Sequence, residues 1–235
     1  MSSILGHSAG NICAYCGSSD NLTDDHVPPK NLFPKPRPNN LITVPACANC
    51  LSSTSKDDEY FRIKMCFRDD VGKHPSARAN LDPIFRSLTR KKATGLRKQF
   101  LSDIRYVELK TPAGLYLGKR LGYNVDVTRI HRVVERTVRG LYFTESGNIL
   151  GLNNEVRVYL NEDLQEQPQN VIDQLRKTII APLATYPAKV IGNNVFLYRY
   201  HIAKDNPLVS VWGLSFYGKV PCLAMTGIPN LSPQN

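Results

Sequence analysis

No apolar run in the 235-residue sequence approaches the roughly 20 residues that a membrane-crossing helix needs, which argues against a helical membrane protein. The first 11 residues lack the basic-then-apolar layout of a secretory leader. The expectation is therefore a cytoplasmic chain, whose cysteines stay reduced or bind metal rather than pairing as disulfides. There is no internal repeat and no low-complexity tract, so solenoid and linker-type architectures are set aside. Acidic residues are locally scarce: none occurs between Asp82 and Asp103.

That scarcity makes the charge lopsided. Residues 1–70 hold 7 Lys/Arg and 8 Asp/Glu, residues 71–140 hold 16 and 5, and residues 141–235 hold 7 and 7, so the net +10 comes from the middle third. A block of this kind is the expected footprint of contact with a phosphate backbone, so nucleic acid is the expected partner. A solvated basic face without a partner has the same composition, and the neighbouring motifs must decide between them.

The six cysteines supply the most specific of these motifs. Cys13 and Cys16 form one Cys-x-x-Cys pair and Cys47 and Cys50 a second, with 30 residues between the pairs. Four thiolates in two such knuckles suit tetrahedral zinc, and four protein ligands leave no open position for water, so the site reads as structural. Its binding energy would substitute for a core that a module of this size cannot build. Cys66 and Cys222 are read as buried apolar residues.

Between the knuckles lie Asp24-Asp25-His26-Val27-Pro28-Pro29 and, seven residues before Cys47, Asn39-Asn40-Leu41. The arrangement Cys-x-x-Cys, Asp-His-x-x-Pro, Asn-Leu-x-x-x-x-x-Cys-x-x-Cys resembles the zinc-containing HNH endonucleases, the ββα-metal group, over about a quarter of the chain. The string Ser55-Lys56-Asp57-Asp58-Glu59-Tyr60-Phe61-Arg62, and more weakly Arg139-Gly140-Leu141-Tyr142-Phe143, is similar to uncharacterised bacterial proteins described as HNH endonucleases. The resemblance implies phosphodiester hydrolysis in nucleic acid, in the first place DNA. His26 would be the general base, Asp25 the oxygen ligand of a catalytic Mg²⁺ or Mn²⁺, and Asn40 a residue that holds the loop and orients His26. It also implies a homodimer where both strands are cut. One position departs from the pattern. Leu51 stands where the family usually has Asn or His as second metal ligand, which leaves Asn49, Ser52, Ser53 and Asp57 as substitutes, or else a catalytically silent nucleic-acid-binding protein. Asp57 and Asp58 read equally as acids favoured in the first turn of a helix.

The fold class expected is α+β, in three parts. Residues 1–70 form the zinc-knuckle module, with a strand at Leu41–Val44 and a helix after Cys50. Residues 71–140 form a basic, mostly helical region, and 141–235 an α+β domain without an assigned role. In the middle part, residues 75–104 carry an apolar stripe of Ile84, Phe85, Leu88, Leu96, Phe100 and Leu101. Arg90, Lys91, Lys92, Arg97 and Lys98 stand beside it as candidate phosphate contacts. A hairpin is expected at 105–125 around Thr111-Pro112-Ala113-Gly114. A helix from Val127 to Arg139 would place Arg129, Arg132, Arg136 and Arg139 on one face, either toward nucleic acid or paired with acids of the C-terminal part. Strands are expected at Val156–Leu160, Val195–Tyr200, Val209–Phe216 and Cys222–Met225, with a helix near Asn170–Ile179.

Overall fold

The computed structural model describes residues 11–52, 54–91, 94–111 and 113–227. It is a mixed α+β protein. Strands β1 (Leu22–Val27) and β2 (Ile42–Cys47) pair antiparallel, with Asp25 opposite Val44 and His26 opposite Thr43. A short helix, α1 (Ala48–Leu51), follows the second strand and leads into α2 (Thr54–Cys66). Helices α3 (Pro75–Leu88) and α4 (Thr94–Asp103) come next. Proline at the first position of α3 costs no intrahelical hydrogen bond, and the His74 side chain accepts from Ser76 N to cap it.

Strands β3 (Ile104–Lys110) and β4 (Tyr116–Tyr123) form a separate two-stranded hairpin. Helix α5 (Val127–Ser146) begins at Asp126, whose side chain accepts from Arg129 N, and ends where Gly147 takes the left-handed conformation at φ 70°. The helix therefore continues well past Arg139, and the boundary expected at residue 140 falls inside it. The rest is a five-stranded, wholly antiparallel sheet in the order β5-β9-β8-β7-β6, built from β5 (Val156–Leu160), β6 (Lys189–Ile191), β7 (Phe196–Ile202), β8 (Ser210–Phe216) and β9 (Val220–Thr226). Between β5 and β6 the chain is helical at α6 (Asn161–Gln165), α7 (Gln169–Leu175) and α8 (Ala181–Ala184).

Central strand β8 alternates strictly, with Ser210, Trp212, Leu214 and Phe216 buried and the residues between them half-buried. Buried residues from all three sequence thirds fall in one contiguous apolar cluster, from Cys13 and Val27 through Ile130 and Leu141 to Trp212 and Ala224. Cys66 and Cys222 are both buried in it. A polar hub ties its two ends. The Tyr217 hydroxyl donates to the Leu32 carbonyl at 2.9 Å, and Asn80 Nδ2 donates to the same carbonyl at 2.8 Å. Of the apolar stripe expected along α3 and α4, Ile84 and Leu88 are buried, whereas Phe85 and Leu101 face solvent. Lys92 and the Leu96 side chain lie outside the described residues. Among the described residues, no helix is long and apolar enough to cross a membrane.

Alternation along β1 decides how the module meets α5. Val27 and Asp25 point to one side and His26 to the other. On the α5 side, Gly140 and Arg136 are four residues apart and so share a face. A Cβ at Gly140 would lie 2.7 and 2.8 Å from the two methyl carbons of Val27, so strand and helix are seated directly on each other there. Alanine is normally preferred to glycine inside a helix by about 1 kcal/mol. Gly140→Ala should nevertheless destabilise the protein, by about 1–3 kcal/mol, the usual cost of overpacking. A lowered denaturation midpoint at unchanged m-value is expected, and a raised midpoint would mean that α5 does not sit on Val27.

Candidate functional site

The four knuckle cysteines come together in space. Cys13 and Cys16 sit on a tight turn before β1, in which Gly17 N donates to Cys13 O at 2.9 Å and Gly17 adopts φ 79°. Cys47 ends β2 and Cys50 lies in α1, so hairpin pairing itself carries the second knuckle to the first; Ala14 N donates to Pro45 O at 2.8 Å across the join. Their four sulfur atoms lie within 4.8 Å of one another, with Cys16 Sγ and Cys47 Sγ 3.6 Å apart. Zn–S bonds of about 2.3 Å in a tetrahedron set the sulfurs about 3.8 Å apart, so the donor set fits zinc. The thiols share their protons unevenly: the Cys50 backbone N–H, ahead of the neighbouring thiols, pulls the Cys47 thiol down to about 7, whereas burial pushes the Cys50 thiol well up. The cluster could hold a metal such as zinc.

The residues expected to perform chemistry are not gathered in the same way. Asp25 accepts a hydrogen bond of 2.6 Å from the Tyr15 hydroxyl on Oδ2, and Arg136 Nε lies 3.4 Å from the same oxygen. Arg136 also donates to Asp58 at 2.6 Å, so two carboxylates share one nearly buried guanidinium. Desolvation, only partly offset by Arg136, pushes the Asp58 carboxyl up to about 6. Asn40, expected to hold the loop, donates from Nδ2 to the Val190 carbonyl at 2.9 Å, which ties the loop to β6. His26 is half-buried on the opposite side of β1 from Asp25. Its pKa is lowered, first by burial and then by nearby Lys30, so the imidazole is neutral at pH 7.

Around Asp25 the described side chains do not gather into a group that supports a divalent catalytic ion. Asp25 Oδ2 already serves Tyr15 and Arg136, and Leu51 brings no donor. Among the substitutes for Leu51, Asp57 is held by Arg129 and Arg132, each at 2.7 Å, and Ser52 Oγ donates to the Asn49 carbonyl. Ser53 lies outside the described residues. Among the described residues, the four cysteines are the one group of three or more Cys, His, Asp or Glu close enough to hold a metal ion.

Three of the four α5 arginines, Arg129, Arg132 and Arg136, pair with acids of the knuckle module rather than with C-terminal acids, although Arg132 stays half exposed. Arg129 and Arg132 bracket Asp57, and Arg136 bridges Asp25 and Asp58. Arg139 pairs with Glu135 and donates to the carbonyls of Leu150, Gly151 and Asn154. By contrast, Arg90, Lys91, Arg97 and Lys98 are exposed, as phosphate contacts would need to be.

A cleft of about 1120 Å³ opens between the loop after β1, the start of α2, α3 and α4. Seven of its lining residues are cationic and two acidic. Arg62 and Arg129 are already paired, with Glu59 and Asp57, so the charge offered to a ligand comes from Lys35, Arg37, Lys56, Arg86 and Arg90. Asn31 also lines the cleft, and its buried Oδ1 has no hydrogen-bond partner. Of these cations only Arg90 was legible in the sequence as a contact candidate. Lys35 and Arg37 sit in a proline-rich loop, where alternating Pro and basic residues were the available signal, and nothing in the sequence marks Tyr15 as the partner of Asp25.

No protein-family model matches the chain, and no curated protein or solved structure is significantly similar to it.

The protein should carry one zinc ion per chain as measured by metal analysis. Cys47→Ser should lose that ion, and its melting temperature should fall by many degrees, since a metal held by all four thiolates would fasten the two knuckles together. Full stability in a zinc-free Cys47→Ser protein would show that the cluster is not a structural metal site.

Proposed function

We propose that this protein binds nucleic acid in the basic cleft and hydrolyses it at His26, as a zinc-stapled HNH-type endonuclease. The observation that carries the reading is the cleft, because five cationic side chains around one concavity suit a polyanion rather than a small neutral substrate. Arg37 belongs both to this cleft and to the charged surroundings of His26, so a phosphodiester lying along the loop would come near the imidazole. The two-strand hairpin followed by a helix, with knuckles at both ends, has the element order that the resemblance implies.

In this reading the neutral His26 imidazole takes a proton from water as the water oxygen attacks phosphorus. The bond from phosphorus to the leaving oxygen breaks, and that oxygen is protonated from solvent. Lys30 and Arg37, whose charge already acts on His26, would stabilise negative charge on the non-bridging oxygens. Because the imidazole must be unprotonated, activity should fall as pH drops through its pKa, which lies below the ordinary value of 6.5.

A second reading has its own support. Leu51, and the engagement of Asp25 by Tyr15 and Arg136, favour a nucleic-acid-binding protein whose hydrolytic centre is silent. Zinc-loaded protein incubated with supercoiled plasmid, with and without Mg²⁺ or Mn²⁺, separates the two. The endonuclease reading expects nicking that His26→Ala reduces at least about 100-fold, the scale of a lost general base. Binding should survive the same substitution. Retained binding without cleavage in any metal would favour the silent protein, and absence of both would end the nucleic-acid reading.

A further inference from the structure

The β3–β4 hairpin has an unusual position in the molecule. Among the described residues it is a sheet of two strands, so each strand keeps one edge unpaired. It meets the body at its base and through Arg120. The Tyr123 hydroxyl donates to the Lys64 carbonyl at 2.8 Å, Asn124 N donates to Asp103 O at 2.9 Å, and Arg120 reaches Asp69. Tyr106 is 73% exposed, Leu121 68% and Leu117 61%. A lone two-stranded hairpin in water is marginally stable, and uncovered edges and apolar faces invite a partner.

Charge decides which partner. Residues 104–123 carry Arg105, Lys110, Lys119 and Arg120 against Glu108 alone, a net of +3, with Lys110 3.2 Å from Glu108 in a pair that is exposed on both sides. Pairing with the same hairpin of a second copy would set two such charges edge to edge, and like charges opposite one another destabilise a sheet. A polyanion is complementary. Position agrees with charge: Gly95 and Gln99 of α4 line the basic cleft, and α4 runs straight into β3 at Ile104, so the hairpin rises from one wall of the cleft. Seven residues of strand extend about 23 Å, and two strands stand about 4.8 Å apart. A ribbon of that size enters the major groove of B-form DNA, about 12 Å wide, whereas the major groove of an A-form RNA duplex is too narrow to be read.

We propose that the β3–β4 hairpin is a ribbon that enters the major groove of duplex DNA seated in the cleft. Arg105, Lys110 and Lys119 meet phosphates, while Tyr106, Leu117 and Leu121 lie against sugar and base edges. This deepens the nucleic-acid reading above and rests on its binding step, not on cleavage.

The test compares wild type with an Arg105→Gln, Lys110→Gln, Lys119→Gln variant, checked for folding by circular dichroism and for zinc content. Binding to a 20-base-pair DNA duplex and to the same sequence as duplex RNA is followed by fluorescence anisotropy across a salt series. The slope of log affinity against log salt should become shallower by about 1 for each phosphate no longer neutralised, hence by about 2–3 for DNA, with little change for RNA. An unchanged DNA slope with retained wild-type binding overturns the ribbon and leaves the cleft reading standing. Equal weakening on both duplexes overturns groove entry, since it would report charge alone. If wild type binds neither duplex, the binding step beneath the inference fails with it. Sedimentation of Tyr106→Ser, Leu121→Ser decides the remaining case: a wild-type dimer that becomes a monomer makes the hairpin a subunit contact and overturns the proposal.

Discussion

Helix α5 is held to the knuckle module by guanidinium groups paired with its carboxylates. Arg136 is nearly buried between Asp25 and Asp58, and Arg129 is closed off against Asp57 and stacks on Tyr60 at 4.1 Å from its ring centre. Removing one member of such a buried set leaves an uncompensated charge and typically costs about 3–5 kcal/mol. Arg132, half exposed, adds much less. The contact of Val27 with Gly140 depends on the same approach of strand and helix. So does the position of Asp25.

This arrangement redistributes the charge that the sequence concentrates in its middle third. Arg129, Arg132 and Arg136 of α5 pair with acids of the first third, and Arg139 pairs with Glu135 of its own helix. The cations that line the cleft come from two places: the loop after β1 with the start of α2, and helix α3 with the turn that follows it. Net charge by segment therefore includes side chains that the fold pairs internally, because an ion pair across 75 residues is invisible to a count along the chain.

The same packing separates the chemistry that the motif places side by side. Asp25 and His26 are adjacent in sequence, but strand alternation sends one toward α5 and the other toward Lys30 and Arg37. Asn40 is drawn to β6 by a backbone carbonyl 150 residues away. Zinc at the cysteines would fix the hairpin's two ends, while hydrolysis, as proposed, would depend on the solvent-facing side of β1.

What local rules govern could be read along the chain. Cysteine spacing named the metal cluster, period-2 patterns located four strands of the large sheet, and the 3.6 period from Ile130 to Val138 located α5. The end of that helix was missed because the buried run Leu141-Tyr142-Phe143 continues it until Gly147 caps it. Three things came from tertiary packing alone: which charges are internal, where the cleft lies, and that Tyr15 and Arg136 hold Asp25. Each depends on side chains brought together across long stretches of chain, and no periodicity or spacing records which surfaces of a folded protein will meet.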